Sequence, residues 1–245
     1  MLLYIKEELT RGDYAGPEKG DVMKTKSAIL AILFTVLIPM TVFALVMTFD
    51  TLPTQTVGGM PVDVTVTFTT SLNTITITAD NDIVNPTSVI QNLSGIAFVT
   101  SIGSTSGSLT GGTTRTQFVD GDGSFQTSAA VPTSTYWELQ TNYLGGLLLY
   151  ATMPDGTLIG EPLSGNYSAA NGSIAGNGPH NPFTYGTTTF TLTASGVTAG
   201  TSIVGPITLF FGTSGDSVAV PEPTTLLLLG FGLIGLAAGT RRFKR

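Results

Sequence analysis

Of the side chains that carry most proton-transfer and metal chemistry, this chain has a single histidine and no cysteine. A His-dependent triad or an imidazole-bound metal would therefore have to use His180, which lies between Pro179 and Asn181. A solvated loop residue is the simpler reading of it. Without Cys there is no thiol nucleophile, thiolate metal site or disulfide framework. No serine stands in a Gly-x-Ser-x-Gly elbow, since Gly103-Ser104-Thr105-Ser106-Gly107 and Gly212-Thr213-Ser214-Gly215 have the wrong spacing.

Carboxylates are what remains. Glu138 follows Tyr136 and Trp137, and an acid beside aromatic rings can hold or cleave a glycoside. Glycosidic cleavage needs a pair of acids, and the segment 45–220 offers only Glu161 as a second Glu. Trp137 reads more simply as a large core or edge residue. Asp120-Gly121-Asp122-Gly123-Ser124 resembles the start of a calcium loop, but Phe125 and Val131 stand where the loop needs Gly and a bidentate Glu. Asp120 and Asp122 are thus a speculative calcium pair at most, and an Asp-Gly turn explains the string. Gly230-x-Gly232-x-x-Gly235 matches a dinucleotide fingerprint as a string, yet the chain ends at Arg245 with no helix or acid to follow. The expectation is a non-enzymatic protein with no cofactor.

The elements that would position these groups are strands. Val62, Val64, Val66 and Phe68 alternate with Asp63, Thr65, Thr67 and Thr69, and Thr74 to Thr78 resumes the pattern after a short polar turn. Period two of this kind marks a half-buried strand, and the pair predicts a hairpin. Ile96–Ser101, Thr114–Val119, Tyr136–Thr141, Leu147–Thr152, Thr187–Thr193 and Pro206–Phe211 are further candidates. The stretches Gly103–Gly112 and Ser164–Pro182 read as polar surface loops. The predicted fold class is all-β: a single antiparallel β-sandwich, flanked by an N-terminal signal-peptide helix and a C-terminal transmembrane helix.

Charge narrows the partners. Between Leu45 and Val220 ten acids face a single base, Arg115, for a net of −9. Phosphate backbones are repelled by such a surface, so nucleic-acid binding is excluded.

Both termini carry targeting patterns. Met23-Lys24-Thr25-Lys26, an apolar run from Ala28 to Ile38, and Val42-Phe43-Ala44 follow the order of a secretory signal with cleavage after Ala44. Residues 1–22 hold five acids, a poor signal start, and read as a mis-assigned or disordered extension. A retained anchor over Ala28–Met47 is the alternative. At the other end, Pro221-Glu222-Pro223 precedes an apolar span over 224–240 and then Arg241, Arg242, Lys244 and Arg245. Seventeen residues rise about 25 Å as a helix, enough for a bilayer core with snorkelling flanks. The cations act as a membrane stop signal and stay inside, which puts the acidic segment on the far face of the inner membrane.

Pro-Glu-Pro, a glycine-bearing apolar helix and a closing cationic cluster together resemble the PEP-CTERM sorting signal. The resemblance covers about the last 25 residues. It implies recognition of Pro221, Glu222 and Pro223 by an exosortase-type membrane enzyme, cleavage near them, and release to the cell surface or an exopolysaccharide matrix. The organisation expected is an extension (1–22), a signal peptide (23–44), a β-sandwich body (45–220) and a sorting tail (221–245). The function expected is that of a structural or adhesive surface protein, with a calcium-dependent carbohydrate-binding module or a glycan-active enzyme as the alternative.

Overall fold

The computed structural model describes residues 44–152 and 154–223. The expected extension over 1–22, the signal segment up to Phe43, the span over 224–240 and the cations Arg241, Arg242, Lys244 and Arg245 lie outside the described residues. Among the described residues no helix is long and apolar enough to cross a membrane.

The first strand among the described residues begins at the residue after Ala44. Strand β1 (Leu45–Asp50) opens the fold, and the Leu45 amide donates to the Ala199 carbonyl at 3.0 Å. Met47 and Phe49 are buried while Val46, Thr48 and Asp50 face outward. An anchor helix over Ala28–Met47 is therefore corrected, because Leu45, Val46 and Met47 belong to a strand.

A small hairpin, β2 (Thr56–Val57) and β3 (Met60–Pro61), leads into the predicted one, β4 (Val64–Ser71) and β5 (Thr74–Asn81). Phe68 pairs with Ile77 on the buried side and Thr67 with Thr78 on the outer side, as the period-two pattern demands. Asn73 takes the turn at φ 53°, a left-handed conformation that Asn tolerates better than most residues. Its side-chain oxygen accepts the Gly196 N–H at 3.0 Å, so the turn also anchors a distant loop.

The remaining strands are β6 (Leu93–Thr100), β7 (Ser108–Val119), β8 (Phe125–Thr127), β9 (Val131–Pro132), β10 (Trp137–Tyr143), β11 (Gly146–Ala151), β12 (Leu158–Ile159), β13 (Phe183–Thr193), β14 (Ile203–Phe211) and β15 (Asp216–Val220). Each predicted strand is present with shifted ends. The strands β1 and β15, and the short β2, β3, β8, β9 and β12, are additional.

Thirteen strands join in one large mixed sheet that curls nearly into a barrel. One run of ladders is β1-β4-β5-β13-β7, with β8 and β9 also on β7; the other is β15-β14-β6-β11-β10. The two-residue β12 links them, parallel to β13 and antiparallel to β6 through Leu158 and Leu93. The expected all-antiparallel pairing is corrected at β12 and β13. The segment between them returns the chain in the same direction, which no hairpin can do.

Apolar faces of both runs share one core. Phe68 meets Phe98 at 5.0 Å and Trp137 meets Phe190 at 5.0 Å, each pair drawn from opposite runs. The first pair is edge-to-face and the second tilted, and aromatic pairs at such distances add about 0.5–1.5 kcal/mol to simple burial. A second cluster gathers Val119, Ile159, Tyr167, Ile174 and Phe183. Two loop expectations are corrected here. Ser108 to Gly112 belongs to β7, and the segment 164–182 buries Tyr167 and Ile174 rather than lying wholly on the surface. The Asn181 side chain fixes that segment by imitating a strand partner: its oxygen accepts the Val119 N–H at 2.9 Å and its amide donates to the Val119 carbonyl at 3.0 Å.

Candidate functional site

Each chemistry-bearing residue singled out in the sequence has a defined place. The His180 ring is half-buried, with Nδ1 at 2.7 Å from the Ser173 carbonyl oxygen and 3.1 Å from Asn177 Nδ2. It braces the 164–182 segment, which corrects the solvated reading. Asp122 accepts both the Ser124 N–H at 3.0 Å and the Ser124 hydroxyl at 2.7 Å. Those bonds hold its carboxyl below the usual carboxylate range. The Asp120 amide donates to the Ser124 carbonyl and its carbonyl accepts the Gly123 N–H, closing a tight turn between β7 and β8. Among the described residues no three His, Asp or Glu side chains gather as metal ligands.

The pairing of Trp137 with Glu138 as a sugar-holding unit is corrected by strand geometry. Successive residues of a strand point to opposite faces. Trp137 is fully buried in the core, and Glu138 stands exposed on the outer face. There Glu138 meets another aromatic residue: its cross-strand partner Tyr150 donates its hydroxyl to Glu138 Oε2 at 2.8 Å. That bond pushes the Tyr150 phenol up.

Tyr150 belongs to a row running across five strands. The registers align Ser217, Phe210, Gly95, Tyr150 and Glu138, and beside it Ala219, Thr208, Ala97, Leu148 and Gln140. Gly95 lies in the first row, and a cleft of about 170 Å³ opens beside it between Phe210, Leu148 and Tyr150. Sequence reasoning named Glu138 but missed Gly95, Phe210 and Tyr150. Period two in β11 would have put Tyr150 on an exposed face, but nothing in the sequence pairs it with Glu138.

A second cleft, of about 400 Å³, is polar and holds Arg115, Glu161, Tyr185 and Gly186. Tyr185 is pushed up, first by burial and then by the charge of Glu161, while Arg115 acts against both. The nearby Tyr167 hydroxyl lies between Gln117 Oε1 and the Gly160 carbonyl, the latter at 2.9 Å. Burial pushes its phenol far up, with Tyr185 and Glu161 adding to the effect.

The Pro-Glu-Pro segment follows β15 directly and has no regular secondary structure. Two prolines in three residues make helix unfavourable there. Pro221 and Glu222 are exposed, and the Glu222 carboxylate accepts the Gly205 N–H. A groove of about 540 Å³ separates the segment from the outward residues Val46, Thr48 and Asp50 of β1. The last buried anchor before it is Val220.

No curated protein and no solved structure matches the chain. One family model does, described as the PEP-CTERM protein-sorting motif, over residues 219–242. A largely exposed Pro-Glu-Pro without regular secondary structure, inside a family match that runs through the apolar stretch to Arg242, gives the conclusion: the chain carries the PEP-CTERM protein-sorting motif of exosortase-targeted surface proteins.

Proposed function

We propose that residues 45–220 form an exported, non-enzymatic surface or matrix domain with a structural or adhesive role, and that the tail 221–245 holds it at the inner membrane until an exosortase-type enzyme processes it. The observation that carries this reading is where the first and last strands of the described residues lie. Strand β1 begins at Leu45, the residue after the expected signal cleavage, and β15 ends at Val220, the residue before Pro221. Cuts after Ala44 and near Pro221 would leave every strand of the described residues intact. Segments that are to be cleaved must be accessible and must not anchor the fold.

We read the two ladder runs as the layers of a flattened sandwich closed through β12. Its net charge of −9 favours solubility outside the cell and disfavours polyanionic partners. An exopolysaccharide partner fits the adhesive role and the exposed Glu138–Tyr150 pair.

Mass spectrometry of the mature protein from its host tests the processing. The expected species starts at Leu45 and ends near Pro221. Intact Arg245 on the predominant species would sink the proposal, and a retained Met23 would sink its N-terminal half.

A further inference from the structure

We propose that the outer face of β6, β11 and β14 binds a neutral sugar chain, one ring seated in the cleft lined by Phe210, Leu148 and Tyr150. The inference deepens the adhesive reading above and relies on it for setting, while its geometry stands separately.

The face has the two-sided chemistry of a sugar. A pyranose presents an apolar layer of C–H groups and an equatorial rim of hydroxyls. Phe210, which packs against Tyr143 at 6.2 Å, and Tyr150 are both half-buried in the cleft wall and supply aromatic surface for the first, since the negative face of a ring attracts weakly positive C–H hydrogens. Glu138 and Gln140, both exposed on the adjoining strand, offer acceptors and a donor to the second. Glu138 is already fixed through Tyr150, so ring and carboxylate are held together before a ligand arrives.

Gly95 sets the shape of the cleft. A Cβ built there would lie 3.3 Å from Phe210 and 3.4 Å from Leu148, so a larger residue would push both side chains out of their places along the cleft. Phe210 also lines a neighbouring cleft of about 250 Å³ with Ala97, Tyr143 and Leu144, so the recessed surface continues along the face. The cleft volume of about 170 Å³ suits a small ring better than a protein segment. A protein interface would need about 800 Å² per partner, far more than the few apolar side chains here can supply.

Charge selects among sugars. Arg115, the one base between Leu45 and Val220, lies on β7 in the other ladder run. An anionic chain of uronates or sulfated sugars would meet Glu138 with no cation beside it, so the face suits uncharged polymers.

The full chain, purified in a detergent without a sugar headgroup, is titrated with cellohexaose, maltohexaose, mannohexaose and an oligogalacturonate by ligand-observed NMR. Saturable binding of at least one neutral oligosaccharide is expected. Phe210→Ala should weaken it about tenfold, as loss of a central aromatic anchor does, and Glu138→Ala several-fold. Leu72→Ser, at a 75% exposed position in the turn between β4 and β5, should leave it unchanged. Glu138 is exposed, so its variant reports on binding even where Phe210→Ala lowers the melting temperature. No binding of any neutral oligosaccharide, preference for the oligogalacturonate, retention in both variants, or a dimer that Phe210→Ala dissolves would each overturn the proposal. Mature protein with ends at Leu45 and Pro221 that binds no sugar overturns this inference alone. Sugar binding by a chain that keeps Arg245 overturns only the processing.

Discussion

At the scale of single residues, Tyr167 shows how a loop residue becomes part of the fold. Its ring is 1% exposed, and its hydroxyl reaches acceptors on two separate segments, Gln117 in β7 and the Gly160 carbonyl. Removing the hydroxyl leaves buried acceptors unsatisfied. Tyr167→Phe is expected to cost about 1–3 kcal/mol in denaturant unfolding at neutral pH. The same residue sets an alkaline limit. Its folded pKa lies above the ordinary 10.0, because burial penalises the phenolate. Below 10 both states hold the proton and the contribution is fully present. Above it the unfolded state releases the proton first, and stability falls as pH rises, by up to about 1.4 kcal/mol per pH unit for this one group. Thermal melts above pH 10 should show that slope in the parent and a shallower one in Tyr167→Phe. Equal slopes would refute the assignment. None of this could be read from Asn166-Tyr167-Ser168, because a tyrosine between polar neighbours carries no sign of the partner that will bury it.

Among the elements, β4 and β5 were the most legible and β12 the least. In β4 the six residues from Val64 to Thr69 alternate Val or Phe with Thr and need no partner to declare a half-buried strand. Two residues, Leu158 and Ile159, have no period to detect, yet they join the two ladder runs. β1 was hidden for another reason: Leu45 to Phe49 continues an apolar stretch that also suits a membrane helix, and only pairing with β4 settles its conformation. Phe68 marks the point where the runs meet, with Phe49 at 5.6 Å and Phe98 at 5.0 Å. Phe68→Ala should therefore destabilise by about 3–5 kcal/mol in urea unfolding. On the outer side of the same strand, Thr67→Val should change stability by no more than about 0.5 kcal/mol. Comparable losses from both would mean that the hairpin faces are assigned the wrong way round.

For the whole molecule, the segment between the two targeting ends should behave as a folding unit. Val220 is 1% exposed and pairs with Ile207, while Pro221 and Glu222 are exposed. A chain ended after Val220 is expected to melt cooperatively, within a few degrees of a chain ended after Pro223. A chain ended after Gly215 loses β15 and should melt far lower, because Val220 leaves the core and the edge of β14 is uncovered. Circular dichroism melts of the three chains decide it, and similar curves for the last two would refute β15 as a structural strand. The sequence alone was enough for the sorting motif, the all-β class and the acidic charge, because each depends on residue type and short-range order. The tertiary structure decided which strands adjoin, that Trp137 lies inside while Glu138 meets Tyr150 outside, and that Gly95 lines a cleft beside Phe210. Those facts depend on register between segments far apart in the chain, and a shift of one residue would turn every one of those side chains to the other face.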